Sequence, residues 1–307
     1  MTAVKDSAVK ESAVKESALR DLYLDWSNLM ATKELDTRLF RSIFDEWHQP
    51  TVEPEGVTYK EEVVGGVPGI WALPIGADAD KVVVFTHGGG FAVGSASSHR
   101  KLAGHLAKAA GWTAFVADYR RAPEHPHPAQ VEDGVSVVRA LLDRGIKPEH
   151  IATAGDSAGG NLAVAIPLAL RENGLPLPGH VIAFSPWLDM ENKLESLETN
   201  DLTDALISTP LLEGMIAGVL GDSVSPTAPL ANPLYADFKG YPPLYITAGS
   251  VESLVDNAKH LAEKAKAAGV DVTLNIAEGQ QHVYPFLAGR DPEVDAELVT
   301  IGKWLNA

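Results

Sequence analysis

The chain has 307 residues, a formal net charge of −16 and no cysteine, and it is long enough to bury a sizeable core. The acidic balance argues against binding a nucleic-acid backbone, and the lack of cysteine excludes disulfides, thiolate nucleophiles and cysteine-bound zinc. No apolar run is long enough to span a membrane or to act as a secretory signal, which predicts a cytoplasmic protein.

The amino-terminal part of the sequence predicts helices without catalytic residues. Residues 3–22 repeat a five-residue unit whose period matches neither an α-helix nor a coiled coil, so we interpret it as a solvated helix or a frayed tail. Apolar residues that include Leu22 and Trp26 then share one helical face, and those over residues 35–47 share another. Two amphipathic helices are therefore expected before the first strand.

From residue 57 the sequence alternates short apolar strands with helix-length segments. The predicted strands are 57–64, 69–75, 81–87, 112–119, 150–155, 180–185, 242–249 and 272–278. The predicted helices between them are 98–110, 129–144, 158–171 and 253–269. This alternation predicts an α/β fold, with a mainly parallel eight-stranded sheet that is covered by helices on both faces.

One connection between predicted strands is much longer than the others. It follows the strand 180–185 and contains an apolar series at helical spacing over residues 211–220. An insertion of this length is usually functional, and we place it with the N-terminal helices as a cap over the strand ends. The predicted division is an N-terminal helical segment contributing to the cap at 1–50, a core at 51–188 and 236–307, and a cap insertion at 189–235.

The stretch GDSAG at 155–159 places Ser157 between two glycines, after a predicted strand and before a predicted helix. This G-x-S-x-G pattern is typical of a nucleophile elbow, a turn so tight that larger neighbours of the serine would clash. A plain glycine-rich turn in which Ser157 caps the helix is the alternative. The strand-turn-helix context favours the nucleophile.

A second glycine-rich segment, HGGGF at 87–91, directly follows a predicted strand. Consecutive glycines leave backbone N–H groups bare, which suits them to bind the oxyanion of a tetrahedral intermediate. We predict an oxyanion hole formed by the N–H groups of Gly88, Gly89 and Ala158. A phosphate-binding loop is the alternative, but the segment has neither the lysine of G-x-x-x-x-G-K-[ST] nor the spacing of G-x-G-x-x-G.

A nucleophilic serine needs a histidine as base and a carboxylate that orients it, in the chain order serine, acid, histidine. Three histidines follow the serine. His180 starts a strand and His260 lies within a helix, so His282, in the loop EGQQHVYPF, is the predicted base. The loop SVESLVD offers two candidate acids, Glu252 and Asp256, and the residue types alone leave both open.

Several of these motifs together resemble the hormone-sensitive-lipase-like family of esterases and lipases, in the α/β-hydrolase superfamily. They are HGGGF, DYRRAPEHPHPA, GDSAGG, SPWLD and ESLVD followed by a late histidine, in order over about residues 80–285. The resemblance implies an α/β-hydrolase fold and Glu252 as the triad acid, with Asp256 as the alternative. The sequence departs from the family where Arg121 and His127 replace the usual Leu and Phe.

The resemblance implies a serine hydrolase that cleaves carboxylic esters of short to medium acyl chain through an acyl-enzyme, without a metal or organic cofactor. The predicted substrate-pocket residues are Phe91, Trp187, Leu206, Leu211 and Met215, each of which could instead be plain core. A lactone hydrolase that uses the same triad is the main alternative. A non-catalytic ligand-binding protein of this fold is a more distant one.

Two further features bear on metals and on partners. His125 and His127 beside Glu124 resemble a ligand cluster, but the surrounding prolines make this loop rigid and no third histidine is near, so no metal site is predicted. The last predicted strand would lie at the edge of the sheet, where a second copy could pair with it. A homodimer or higher homo-oligomer is expected.

Overall fold

The computed structural model describes residues 14–32 and 36–307, so residues 3–13 of the five-residue repeat and Leu35 lie outside the described part. The strands are β1 Val57–Val64, β2 Val67–Pro74, β3 Asp78–Thr86, β4 Trp112–Ala117, β5 Ile151–Asp156, β6 His180–Phe184, β7 Leu244–Gly249 and β8 Val272–Ala277. The α-helices are α1 Ala18–Thr32, α2 Thr37–Phe44, α3 Ala96–Ala110, α4 Ala129–Asp143, α5 Ala158–Glu172, α6 Ser196–Thr199, α7 Thr209–Leu220, α8 Val255–Ala267 and α9 Pro292–Trp304. Short 3-10 helices occupy Asp45–His48, Pro148–His150, Pro233–Tyr235 and Tyr284–Leu287.

The strands form one eight-stranded sheet in the order β1-β2-β4-β3-β5-β6-β7-β8. β2 is antiparallel to β1 and to β4, and every other neighbouring pair is parallel. All residues of β4, β5 and β7 are buried, which requires cover on both faces of the sheet. The predicted α/β fold and its mainly parallel sheet are confirmed.

Helix α9, which packs against α3, was not among the predicted helices. The signals for this helix are present in the sequence. Asp291 accepts a hydrogen bond from the N–H of Glu293 as the N-cap, Pro292 follows it, and Val294, Leu298 and Ile301 are buried at helical spacing.

The two predicted N-terminal helices are confirmed, but the buried face of α1 differs from the predicted one. Leu19, Tyr23 and Trp26 are buried, whereas Leu22 is only partly buried. The apolar pattern predicted Leu22 for the buried face, and the structure buries Tyr23 instead. The ring of Trp26 lies 4.8 Å from that of Phe44, so an aromatic cluster joins α1 to the end of α2.

The insertion between β6 and β7 contains α6 and α7, and it contacts the loops that follow β7 and β8. One side of α7 is buried through Leu212, Met215 and Val219, and Gly214 on the same helix is exposed. Within residues 14–32 and 36–307, no helix combines the length and the apolar character that crossing a bilayer requires.

The start of α5 lies against the end of β3 with no room for a side chain between them. A Cβ atom on Gly159 would lie 2.0 Å from the carbonyl oxygen of Thr86, and one on Gly155 would lie 2.3 Å from the carbonyl oxygen of Gly159. The Thr86 hydroxyl donates to the Gly159 carbonyl at 2.7 Å. This backbone contact fixes where α5 begins relative to β3.

Gly159→Ala should lower the free energy of unfolding by about 1–3 kcal/mol or prevent folding, because the added methyl group meets main chain that cannot give way. Gly214→Ala is the matched control in an exposed helix position with nothing within 4 Å of the new Cβ atom. It should raise the free energy of unfolding by roughly 0.5–1 kcal/mol. Denaturant unfolding followed by tryptophan fluorescence measures both values, and an unaffected Gly159→Ala protein would contradict the close contact.

Candidate active site

Ser157 occupies the turn between β5 and α5. Its φ of +54° and ψ of −120° are strained for a residue with a side chain. The Ser157 N–H donates to the carbonyl of Phe184 at 2.9 Å, and the Ser157 carbonyl accepts from the N–H of Trp187 at 3.0 Å. The turn therefore has the conformation that the G-x-S-x-G pattern predicts, and the main chain of the next strand holds it there.

His282 follows β8 and meets Glu252, which follows β7. Their contact joins Nδ1 of the imidazole to Oε1 of the carboxylate at 3.4 Å, and both side chains are completely buried. The other oxygen of Glu252 accepts from the Ser185 hydroxyl at 2.7 Å and from the N–H of Gly249 at 2.9 Å. Glu252 is thus held on one side while it orients the imidazole on the other.

The pKa of His282 is raised above its usual value. Burial by itself lowers this pKa, but the hydrogen bond to Glu252 and the charge of that carboxylate raise it by more. The carboxylates of Asp204 and Asp156 add to the rise. The surrounding carboxylates therefore stabilise the imidazolium that forms when His282 accepts a proton.

Asp256, the alternative acid, lies elsewhere. One of its oxygens accepts from the N–H of Ser196 at 2.9 Å, and the other pairs with the Lys259 ammonium at 3.0 Å. Glu252 thus lies against the imidazole of His282, whereas Asp256 joins the start of α8 to Ser196 of the insertion.

A segment of the insertion, which we call the clasp (residues 203–205), contacts the loops of both Glu252 and His282. Asp204 accepts from the N–H of Ser253 at 2.7 Å. Gln281 donates to the carbonyl at residue 203 and accepts from the N–H at residue 205, each at 2.8 Å. Asp204 and Gln281 were not predicted as site residues, and the only signal in the sequence is that Gln281 adjoins His282.

Asp204 is a buried carboxylate close to the imidazole. Burial raises its pKa, and the charge of His282 together with donation from three backbone N–H groups opposes part of that rise. Two of these groups belong to Leu206 and Ile207, which Asp204 holds at 2.9 and 2.8 Å. The carboxylate therefore orders the insertion as well as the loop of Glu252.

The N-terminal helix α1 also contacts the loop of His282. The Tyr23 hydroxyl donates to the His282 carbonyl at 3.0 Å and accepts from the indole N–H of Trp47 at 2.9 Å. On the same helix, the Ser27 hydroxyl donates to the Ala205 carbonyl at 2.6 Å. Both the N-terminal helices and the insertion thus contribute contacts to the environment of the imidazole.

In the glycine-rich turn after β3, not all three N–H groups of Gly88, Gly89 and Gly90 are free to bind a substrate oxygen. The N–H of Gly88 donates to Oδ1 of Asp156 at 3.1 Å and also lies 3.2 Å from Nε2 of His99. Within the described residues, the N–H groups of Gly89, Gly90 and Ala158 have no hydrogen-bond acceptor. Gly88, predicted to be an oxyanion donor, is therefore already engaged inside the protein.

Asp156 and His99 form a buried polar pair that braces this turn. Oδ2 of Asp156 lies 3.2 Å from Nε2 of His99, whose Nδ1 lies 2.8 Å from the Ser98 hydroxyl. Both members of the pair are completely buried. His99 was not singled out in the sequence, because the contact depends on where α3 packs against the turn.

Ser157 and His282 line the same small cavity of about 20 Å³, which is room for roughly one water molecule. Its lining is Phe44, Trp47, Gly89, Gly90, Ser157, Trp187, Leu206, Ile207, Leu211, Leu212, Met215 and His282. Met215 lies directly over Gly90, since a Cβ atom on that glycine would lie 1.9 Å from the Met215 sulfur. The cavity is thus narrow, apolar and closed next to the turn that follows β3.

Four of the five predicted pocket residues line this cavity: Trp187, Leu206, Leu211 and Met215. Phe91 is not part of this lining, and its ring packs against that of Trp187, with ring centroids 5.8 Å apart. Phe44 and Trp47 also line the cavity, although they were not predicted to be pocket residues. They enter the site because the end of α2 and the following 3-10 helix fold over it.

In the loop that contains His125 and His127, the carboxylate of Glu124 forms an ion pair. Glu124 accepts from the Arg41 guanidinium at 2.8 and 2.6 Å. In the part of the chain that the structure describes, no group of three or more His, Asp or Glu side chains is placed to hold a metal ion.

The sequence model of a family described as the alpha/beta hydrolase fold matches residues 83–286. That range contains Ser157, Glu252 and His282, together with the glycine-rich turn after β3.

An acetyl-hydrolase of Streptomyces hygroscopicus is 37% identical to this chain over 295 residues, which cover 90% of this chain and 97% of that protein. An esterase of Acinetobacter venetianus is 36% identical over 231 residues, which cover 75% of this chain and 76% of that protein. The crystal structure of an esterase from the bacterial hormone-sensitive lipase family aligns with a TM-score of 0.89 and 39% identity, covering 95% of this chain and 98% of that one.

Glu252→Gln should lower the pKa of His282, because it removes the charge and the charged hydrogen-bond acceptor that raise it. Asp256→Asn is the matched control, since that carboxylate contacts Ser196 and Lys259, and the pKa of His282 should stay in place. An NMR pH titration of the imidazole, assigned with a His282→Gln variant, measures both effects. A fall with Asp256→Asn and none with Glu252→Gln would reverse the assignment of the acid.

Proposed function

Since this chain belongs to the α/β-hydrolase family, resembles its hormone-sensitive-lipase-like esterases and is a carboxylic ester hydrolase, we propose that Ser157, His282 and Glu252 form its catalytic triad. The observation that carries this proposal is the buried contact between His282 and Glu252, in a cavity that His282 shares with Ser157. The relatives are named as an acetyl-hydrolase and an esterase, which supports catalysis over a purely ligand-binding role.

The proposed mechanism is a two-step acyl transfer to water. The Ser157 hydroxyl oxygen attacks the ester carbonyl while Nε2 of His282 takes the hydroxyl proton. Glu252 holds the imidazole through Nδ1 and stabilises the imidazolium, which then gives the proton to the departing alcohol. A water molecule attacks the acyl-enzyme with His282 again as base, and this step releases the carboxylic acid and restores the serine.

We assign the oxyanion to the N–H groups of Gly89, Gly90 and Ala158. The N–H of Gly88 is replaced in this assignment by that of Gly90, because the Asp156 carboxylate already accepts from Gly88. Gly89 and Gly90 both line the cavity with Ser157. Donors that are fixed by the main chain need no reorganisation as charge develops on the carbonyl oxygen, which is how such sites lower the barrier.

Esters with short to medium acyl chains are the proposed substrates. The small volume and apolar lining of the cavity favour a short acyl group, and one relative is named an acetyl-hydrolase. Lactone opening by the same triad is the second candidate, since a ring ester presents the same carbonyl. Direct comparison of the two substrate types separates them.

The N-terminal helices and the insertion between β6 and β7 form the cap in this proposal. The contact between Ser27 of α1 and Ala205 of the insertion supports a single unit, as does the position of Phe44 and Leu211 in one cavity. A cytoplasmic location and a homo-oligomer stay predictions. The position of β8 at the edge of the sheet supports pairing with a second copy.

Ser157→Ala should reduce the hydrolysis of p-nitrophenyl acetate by roughly 10⁴-fold or more, because the nucleophile is lost. Ser223→Ala is the matched control at an exposed position of the insertion and should keep the wild-type rate. A fluorophosphonate should label the wild-type protein and the control at Ser157, as located by mass spectrometry. Normal hydrolysis by Ser157→Ala would contradict the proposed nucleophile.

Met215→Ala should shift the preference toward longer acyl chains, because Met215 closes the cavity beside Gly90. We expect the kcat/KM ratio of hexanoate to acetate nitrophenyl esters to rise by about tenfold. Met190→Ala, which empties a buried position outside the cavity lining, should leave the ratio unchanged. Small and large lactones belong in the same panel, and a lactone turned over far better than any linear ester would favour the second candidate.

A further inference from the structure

Two of the side chains that line the catalytic cavity carry a buried polar atom without a hydrogen-bond partner among the described residues. They are His282, at Nε2, and Trp187, at the indole nitrogen Nε1. A buried donor without an acceptor destabilises the folded state by about 1–3 kcal/mol, so such atoms are rare and each calls for an explanation.

The proposed function explains one of these two atoms. Nε2 of His282 is the nitrogen that takes the proton of the nucleophile and returns it to the leaving group, so its partner in the reaction is the Ser157 hydroxyl, which lines the same cavity. The indole N–H of Trp187 has no part in that mechanism. The remaining unpartnered buried atoms, such as those of Tyr59 and Trp71, belong to residues outside the lining of this cavity.

The position of Trp187 is held at several points. Its backbone N–H donates to the Ser157 carbonyl at 3.0 Å, and its carbonyl accepts from the side-chain amide of Asn161 at 3.0 Å. Its ring packs against Phe91, and the residue is 1% exposed. The indole is thus fixed next to the nucleophile and is not free to turn its N–H to solvent.

No side chain of the cavity lining accepts a hydrogen bond from this donor. Apart from Ser157 and His282, its lining side chains are apolar or aromatic. The only other indole in the lining, that of Trp47, donates to the Tyr23 hydroxyl at 2.9 Å. The acceptor for Trp187 is therefore a molecule that enters the cavity, either a water molecule, for which there is room, or a substrate that displaces it.

We propose that Trp187 is a specificity-determining residue whose indole N–H binds a second oxygen of the substrate, so that the site selects esters with an ether, keto or hydroxyl oxygen near the scissile bond. This inference rests on the proposed function. The scissile carbonyl oxygen is assigned to the backbone N–H groups of Gly89, Gly90 and Ala158, so the indole donates to a different oxygen. A donor that is buried and fixed in advance discriminates strongly, because a substrate without the oxygen leaves it unpaired.

The test uses pairs of esters in which one CH₂ group is replaced by oxygen. Methoxyacetate against butyrate, both as ethyl esters, varies the acyl side, and 2-methoxyethyl acetate against butyl acetate varies the alcohol side. For each pair we define the oxygen preference as the ratio of the two kcat/KM values. Comparison between protein variants cancels the intrinsic reactivity of the substrates.

Trp187→Phe should lower the oxygen preference in one of the two pairs by about three- to tenfold, and the pair that responds shows on which side the indole binds. Trp47→Phe is the matched control, because it removes a cavity-lining indole whose N–H is already satisfied within the protein. Its oxygen preference should equal that of the wild type. Should Trp187→Phe fail to fold, 3-benzothienylalanine at position 187 keeps the bicyclic ring and replaces the N–H by sulfur.

An unchanged oxygen preference in both pairs would overturn the inference, and so would equal changes in the Trp187 and Trp47 variants, since these would reflect cavity shape alone. Ser157→Ala is carried through the same assays. Wild-type hydrolysis by that variant would instead overturn the proposed function, so the two failures are distinguishable.

Discussion

The close backbone contact between the end of β3 and the start of α5 is the constraint on which the rest of the site depends. Because Gly159 has no side chain, the carbonyl of Thr86 can lie directly against the first turn of α5. The contact places the glycine-rich turn after β3 beside the turn of Ser157 after β5. One feature of the main chain thus positions both the proposed nucleophile and the proposed oxyanion donors, without a side chain that thermal motion could displace.

Around that contact the protein keeps three carboxylates buried near one imidazole, those of Glu252, Asp204 and Asp156. A buried carboxylate is stable only when donors surround it, and each of the three accepts from at least one backbone N–H. The donors to Asp204 and Asp156 come from other segments of the chain, the loop after β7 and the turn after β3. The hydrogen bonds that stabilise these buried charges therefore also fix the positions of the loops around the site. Together the three charges raise the pKa of His282.

The sheet, the turn of Ser157 and the loop of His282 could be predicted from the sequence because their signals are local: apolar runs of strand length, a serine between two glycines, and a histidine after the last strand. The preference for Glu252 over Asp256 came from the family resemblance, since the residue types left both open. The choice between Gly88 and Gly90 could not be predicted, since three identical glycines differ only in what their N–H groups meet. The proposed choice follows from the carboxylate of Asp156, the last residue of β5, which accepts from the Gly88 N–H. Tyr23 and Asp204 could not be predicted as site residues either, because each makes its hydrogen bond to a residue far away in the chain.

The clasp has a consequence for how this protein could be recombined with its relatives. Because residues 203–205 contact the loops of both Glu252 and His282, the insertion is not an interchangeable module along its full length. A crossover placed before the clasp would replace residues 203–205, Asp204 among them, and so change the contacts of Ser253 and Gln281 beside the imidazole. A crossover placed after Ile207 would exchange α7 and the wall of the cavity that it provides while leaving the chemistry of the host in place.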